Sequence, residues 1–275
     1  MSTLTLNNVG VQSVPPSPSE RRELAIFSLV VLAVNILIMI ALVALHIKTV
    51  SNNWYVFSTM FVPGVLAFFL LRRHGRLRSA GWGLGRATMW FWAIALPLVV
   101  IGSAQLISLA LGFSHAGLHK STIGHILTAF VLYTAVSIPF ALGEELGWRG
   151  WAQSAFIRQF GLAGGLLLVG LLWGFWHTPL YYVSDGLFSS LVQTPVDNIL
   201  AVVPMAWLYT RSRSIWVPTF THAFADILIS FSASLIPPSN ETAVWITLEL
   251  LQLLISVILY IDLHRRYRTN QLFMN

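Results

Sequence analysis

Eight apolar runs occupy most of this chain, each near the ~20 residues that a helix needs to cross a hydrocarbon core. They fall at about 24–45, 54–71, 88–112, 121–143, 162–183, 188–210, 215–236 and 243–263. The composition agrees: 56% of 275 residues are hydrophobic and only 9% are charged, against roughly 25% charged in an ordinary soluble domain. One soluble core cannot hide that much apolar surface. A soluble enzyme, a disordered protein and a coiled coil are excluded. The expected fold is all-α, a polytopic membrane helix bundle of about eight transmembrane helices.

Residues 1–19 are rich in Ser, Thr, Asn and Pro and show no periodicity, so a disordered N-terminal tail is expected there. Residues 20–275 read as a single membrane domain. The first apolar run is too long for the core of a signal peptide, so it reads as the first span. There is no cysteine, which excludes disulfides and thiolate metal ligands.

The net charge of +6 is explained by orientation in a bilayer, and no nucleic acid is implied. Alternating the eight runs across the membrane puts fourteen arginines on one side, and Lys48 and Lys120 on the other. Positively charged flanks face the cytoplasm, so both termini are expected there. In a prokaryote the membrane would be the plasma membrane.

Three polar clusters interrupt the later runs. Each charged residue inside a span costs about 2.5–3.5 kcal/mol on insertion scales, which makes it a functional candidate. The first cluster is Glu144-Glu145-Leu146-Gly147-Trp148-Arg149. Glu145 and Arg149 are one helical turn apart and can pair, while Glu144 points about 100° away. That asymmetry suggests a structural ion pair at Glu145 and a freer carboxylate, available as a base, at Glu144. A charge cluster capping the helix end accounts for the same residues. The second is Trp173-Gly174-Phe175-Trp176-His177, where His177 could equally bond a neighbouring helix. The third is His222-Ala223-Phe224-Ala225-Asp226, an i,i+4 pair in which the carboxylate could orient the imidazole or simply tie helices together. Together the clusters could supply a base and hydrogen-bond donors, or a metal site, for attack of water on an amide.

In this order the clusters resemble the CPBP family, which comprises the type 2 CAAX prenyl proteases and the bacteriocin-processing or immunity (Abi) proteins. The family pattern is Glu-Glu-x-x-x-Arg, then Phe-x-x-x-His, then His-x-x-x-Asn/Asp. Glu144, Glu145 and Arg149 match the first motif. His177 matches the second, with Trp173 in the aromatic place, and His222 and Asp226 match the third. The resemblance covers about residues 121–230. It implies an intramembrane endopeptidase acting on a membrane-associated or prenylated peptide or protein. Glu144 with His177 would activate water, and His222 with Asp226 would hold the oxyanion or polarise the scissile carbonyl. Glu145 and Arg149 would support the site. A metal-dependent version would use Glu144, His177 and His222 as ligands for zinc or another divalent ion, and a glutamate-dependent version would use none. No His-Glu-x-x-His, Gly-x-Gly-Asp or Gly-x-Ser-Gly stretch points to another class of membrane protease.

A transporter, or an immunity or binding protein on the same fold, is the alternative. Asp197, Asn198, Asn35, His125 and Glu249 could line a proton path, although interhelical hydrogen bonding explains Asn35 and Asn198 as well. Asp197 is a candidate further cavity residue. For the protease reading, Glu144, His177 and His222 must converge. His177 lies deep in its run and His222 early in its own, so a shifted helix start or a tilt must reconcile them.

Overall fold

The computed structural model describes residues 17–46, 53–114 and 123–269. Lys48, Lys120 and most of the expected tail lie outside them. The first helix, α1 (Pro18–Ala44), starts earlier than its apolar run because Ser17 and Glu20 form a reciprocal cap. The Glu20 amide donates to Ser17 Oγ (3.2 Å) and the Ser17 amide to Glu20 Oε2 (2.9 Å), satisfying two otherwise orphaned N–H groups.

The helices that follow are α2 (Asn53–Arg73), α3 (Ala87–Pro97), α4 (Ser103–Ala110), α5 (Ile123–Gly147), α6 (Gln153–Phe188), α7 (Thr194–Ser212), α8 (Trp216–Ala233) and α9 (Glu241–Arg268). A π-helical turn, Leu98–Gly102, joins α3 to α4, so one apolar run became two helical pieces. Two more π-helical turns, Trp148–Ala152 and Ser189–Gln193, flank α6. Within α6, Gly161 takes φ +73°, a left-handed conformation that glycine adopts without penalty. That break separates the polar stretch after α5 from the apolar run that begins at residue 162.

No strand occurs among the described residues. Among the described residues, five stretches are long and apolar enough to cross a membrane: Pro18–Ala41, Ala87–Ala110, Phe130–Tyr182, Gly186–Ser212 and Glu241–Arg268. The all-helical membrane architecture is as expected, but this criterion yields five stretches and not eight. One reason is that Phe130–Tyr182 runs for 53 residues through the Gly161 break, joining two of the expected runs.

α6 packs against α7 and α1, α5 against α2 and α8, and α9 against α7. The close approaches use glycine. A Cβ on Gly143 would lie 2.8 Å from the Met60 carbonyl oxygen, and one on Gly147 would collide with Pro63, so this face of α5 must be bare to meet α2. Gly170 and Gly174 do the same for α6 on α7, against Ile199 and Pro195. With one face of α5 committed to α2, Glu144, Glu145 and Arg149 are buried in the bundle. The buried centre holds Phe27, Trp148, Ile157, Trp176 and Leu208, while Leu29, Leu37, Phe91, Leu106, Leu132 and Leu250 point outward. An apolar exterior around a polar interior cluster is the distribution that a bilayer requires.

Candidate active site

The site is built where α5, the π-helical turn after it, α6 and α8 meet. Glu144 and Glu145 are 1% and 0% exposed and Arg149 is 0% exposed. The expected i,i+4 pair forms, with Arg149 Nη1 2.9 Å from Glu145 Oε1. The same oxygen faces His222 Nδ1 on α8, also at 2.9 Å. Glu145 therefore bridges α5 to α8, a role that helical spacing on α5 alone could not reveal. A carboxylate can only accept here, so His222 donates from Nδ1. Its Nε2 lies 3.5 Å from Asp226 Oδ2, and the Asp226 side chain is half-exposed.

Glu144 has different company. Its Oε2 accepts from Trp173 Nε1 at 2.8 Å and from Trp148 Nε1 at 3.3 Å. No Arg or Lys forms an ion pair with it among the described residues. His177 Nε2 stands 3.9 Å from the same oxygen, beyond a direct hydrogen bond and within reach through one water. His177 Nδ1 lies 3.1 Å from the Trp173 carbonyl oxygen. A carbonyl only accepts, so Nδ1 carries the proton and a neutral ring leaves its Nε2 lone pair toward Glu144.

Trp173 is the hub. Its indole N–H holds Glu144, and its ring face lies 4.2 Å from Arg149 Cζ, a cation–π contact. Its ring centroid is 5.4 Å from that of His222 and 6.1 Å from that of His177. Arg149 Nε and Nη2 meet no acceptor among the described residues, so the indole face is what the buried guanidinium has in their place. The difference in depth between the histidines is resolved by this side chain. It lies one turn before His177 on α6 and reaches the level of His222.

The structure thus gathers Glu144, Glu145, Arg149, Trp173, His177, His222 and Asp226. Trp148 was missed by sequence reasoning. Its signal was there, because it sits four residues after Glu144 on the same helical face. Asp197 does not join the site, since its Oδ1 accepts from Trp245 Nε1 of α9 at 2.7 Å. Asn35 does bond across helices, to the Trp176 carbonyl. Asn198 instead bonds the Thr194 carbonyl of its own helix at 2.8 Å, which corrects the interhelical expectation. The His125 side chain lies outside the described residues.

The metal-ligand set fits poorly. His222 Nδ1 is engaged by Glu145, and Glu144 Oε2 is engaged by two indoles. Among the described residues no group of three or more His, Asp or Glu side chains is arranged to hold a metal ion.

Residues 125–228 match the Type II CAAX prenyl endopeptidase Rce1-like family. Over that segment the chain is similar to this family. It is also similar to the CAAX prenyl protease 2 of Methanococcus maripaludis, with 26% identity over 175 residues. That match covers 61% of this chain and 63% of the relative, so the chain spans somewhat under two thirds of the relative's length. The matched segment holds the whole site, from α5 to α8. With its apolar exterior and long apolar helices, this chain is an integral membrane protein.

Proposed function

We propose that this protein is an intramembrane endopeptidase that hydrolyses a peptide bond in a membrane-associated, prenylated protein or peptide. The observation that carries this reading is the Glu144–His177 pair. It sets a buried carboxylate, paired with no Arg or Lys among the described residues, 3.9 Å from an imidazole nitrogen, a gap that one water spans. The name of the curated relative supports the substrate class.

In the reaction, Glu144 and His177 Nε2 hold a water against the scissile carbonyl. Glu144 accepts a proton as the water oxygen bonds to the carbonyl carbon. His222, held at Nδ1 by Glu145, turns its Nε2–H from the nearby Asp226 carboxylate to the oxyanion and stabilises it by donating to it. The C–N bond then breaks, and the proton on Glu144 passes to the leaving amine. Arg149 and Trp173 hold the two carboxylates apart in role: Arg149 on Glu145, the indole on Glu144. The donor set does not favour a metal, and no step needs one.

The same reading includes the eight-span topology with both termini cytoplasmic. That arrangement places the arginine-rich loops on one side. It also includes a plasma-membrane location in a prokaryote.

The test is cleavage in detergent by wild type and Glu144→Gln, over prenylated and unprenylated peptides ending in Cys-a-a-X and a general peptide library. Prenyl-dependent cleavage that Glu144→Gln abolishes is expected. Cleavage by Glu144→Gln at the wild-type rate overturns the base assignment. Loss of wild-type activity to a chelator, with recovery on adding a divalent ion, overturns the metal-free step.

A further inference from the structure

A second buried carboxylate pair lies away from the active site, between α7 and α9. Glu249 is 8% exposed, and neither of its carboxylate oxygens meets a hydrogen-bond donor among the described residues. It stands on the face of α9 that addresses Asp197. Trp245, one turn before it, donates to Asp197 Oδ1 at 2.7 Å, and Gln252, three residues after it, donates to the Asp197 carbonyl at 3.2 Å. Those two bonds place the Glu249 and Asp197 carboxyl groups facing each other across the α7–α9 contact. Two ionised carboxylates there cannot bond each other, because neither has a hydrogen to give.

Nothing nearby neutralises them. Among the described residues no Arg, Lys or His forms an ion pair with either one. Leu98–Gly102 and α4, which also pack on α9, carry no titratable side chain. On α9 itself, Glu241 is two turns away and Asp262 is more than three. An unpaired charge in this apolar setting costs far more than an unpaired dipole, so at least one positive charge is needed between the two groups.

We propose that Asp197 and Glu249 form a binding site for one monovalent cation, a proton or an alkali-metal ion, clamped between α7 and α9. Trp245 already fills one oxygen of Asp197 with an N–H, which leaves too few free oxygens for a divalent ion that takes six or more oxygen ligands. A proton would make an O–H bond on one carboxyl and donate to the other. A sodium ion would sit between the free oxygens of both. The active site packs on the other side of α7, where Pro195 and Ile199 meet α6. This site is therefore independent of the proposed activity, and its test reads stability and not cleavage.

The melting temperature of the full chain in detergent is measured from mildly acidic to alkaline pH, in choline chloride and in sodium chloride at equal ionic strength. The comparison is wild type against Glu249→Gln, whose amide can donate to Asp197 without a cation. Wild type should lose several degrees more than Glu249→Gln as pH rises in choline chloride, because both carboxyls ionise and repel. Sodium chloride restoring that loss identifies the ligand as an alkali ion, and no restoration identifies it as a proton. Asp197→Asn should flatten the same response, which keeps the test open if one variant fails to fold. Wild type and both variants melting in parallel across pH and salt would overturn the proposal.

Discussion

Two acidic pairs sit inside this bundle, and they are solvated in opposite ways. Glu144 and Glu145 are adjacent on one helix, and each oxygen that takes part in the network faces a protein donor: two indoles, a guanidinium and an imidazole. Asp197 and Glu249 come from different helices, and among the described residues a single indole N–H, that of Trp245, donates to their carboxyl oxygens. A carboxylate given donors can stay charged and act on a water. A pair without them must take its positive charge from outside the protein. Burial alone does not distinguish the two; the supply of N–H groups does.

The largest expected effect breaks the first pair at its reactive member. Glu144→Gln keeps the shape and removes the base, so turnover should fall by about 10²–10⁴-fold, the usual worth of a positioned general base. The melting temperature should hardly move, since Glu144 has no cation to orphan. Peptide cleavage and thermal unfolding measured on one preparation check both halves.

Next comes the structural member. Glu145→Gln removes the charge that Arg149 and His222 share, while both partners stay buried. Removing one partner of a buried ion pair costs about 3–5 kcal/mol, so this variant should melt well below Glu144→Gln. Activity should fall with it, because His222 loses its orientation. Equal melting temperatures for the two glutamine variants would show that the glutamates do not divide their roles.

A smaller effect isolates the hub. Trp173→Phe restores the ring type of the family pattern: it keeps an aromatic face beside Arg149 and removes the indole N–H that reaches Glu144. A hydrogen bond to a charged group is worth about 1.5–3 kcal/mol, so kcat should drop roughly ten- to hundredfold. KM should stay put, because the bond orients the base and does not hold substrate. In the Glu144→Gln background the same change should have little further effect on kcat, since the two residues act as a unit.

Much of this site was legible in the sequence because it is written at helical spacing. Glu145 with Arg149 and His222 with Asp226 are both i,i+4, and both pairs form. The contacts that cross between helices were not legible. His222 meets Glu145 from 77 residues away, and Trp173 meets Glu144 from 29. Nothing local fixes how α8 rotates against α5, or that the aromatic place in the second motif would carry a donor aimed at the base. The fold divides in the same way. Apolar runs located the helices, because length and hydropathy are local properties. The capped start of α1 and the π-helical turns depend on where individual amides find acceptors, and run length is blind to that. Asp197 was a candidate cavity residue, and the indole it accepts from, Trp245, lay two runs away.

The smallest effect sharpens the comparison by holding the donors constant and changing only the burial. Asp262 on α9 has the same kinds of partner as the active-site pair. Trp207 Nε1 donates to its Oδ2 at 2.9 Å, and Arg266, one turn on, donates from Nε at 3.1 Å. The Asp262 side chain is 40% exposed, however, where Glu145 is fully buried. Solvent already screens that charge, and Arg266 can turn to water when the pair is broken. Asp262→Asn should therefore cost no more than about 1 kcal/mol, the upper range for exposed ion pairs, and should leave cleavage unchanged. Salt should narrow even that difference, because exposed pairs are screened and buried ones much less so. Melting curves of Asp262→Asn and Glu145→Gln at low and high salt provide the measurement. A loss at Asp262 as large as that at Glu145 would mean that donor chemistry, and not removal from water, sets what an ion pair contributes in this bundle.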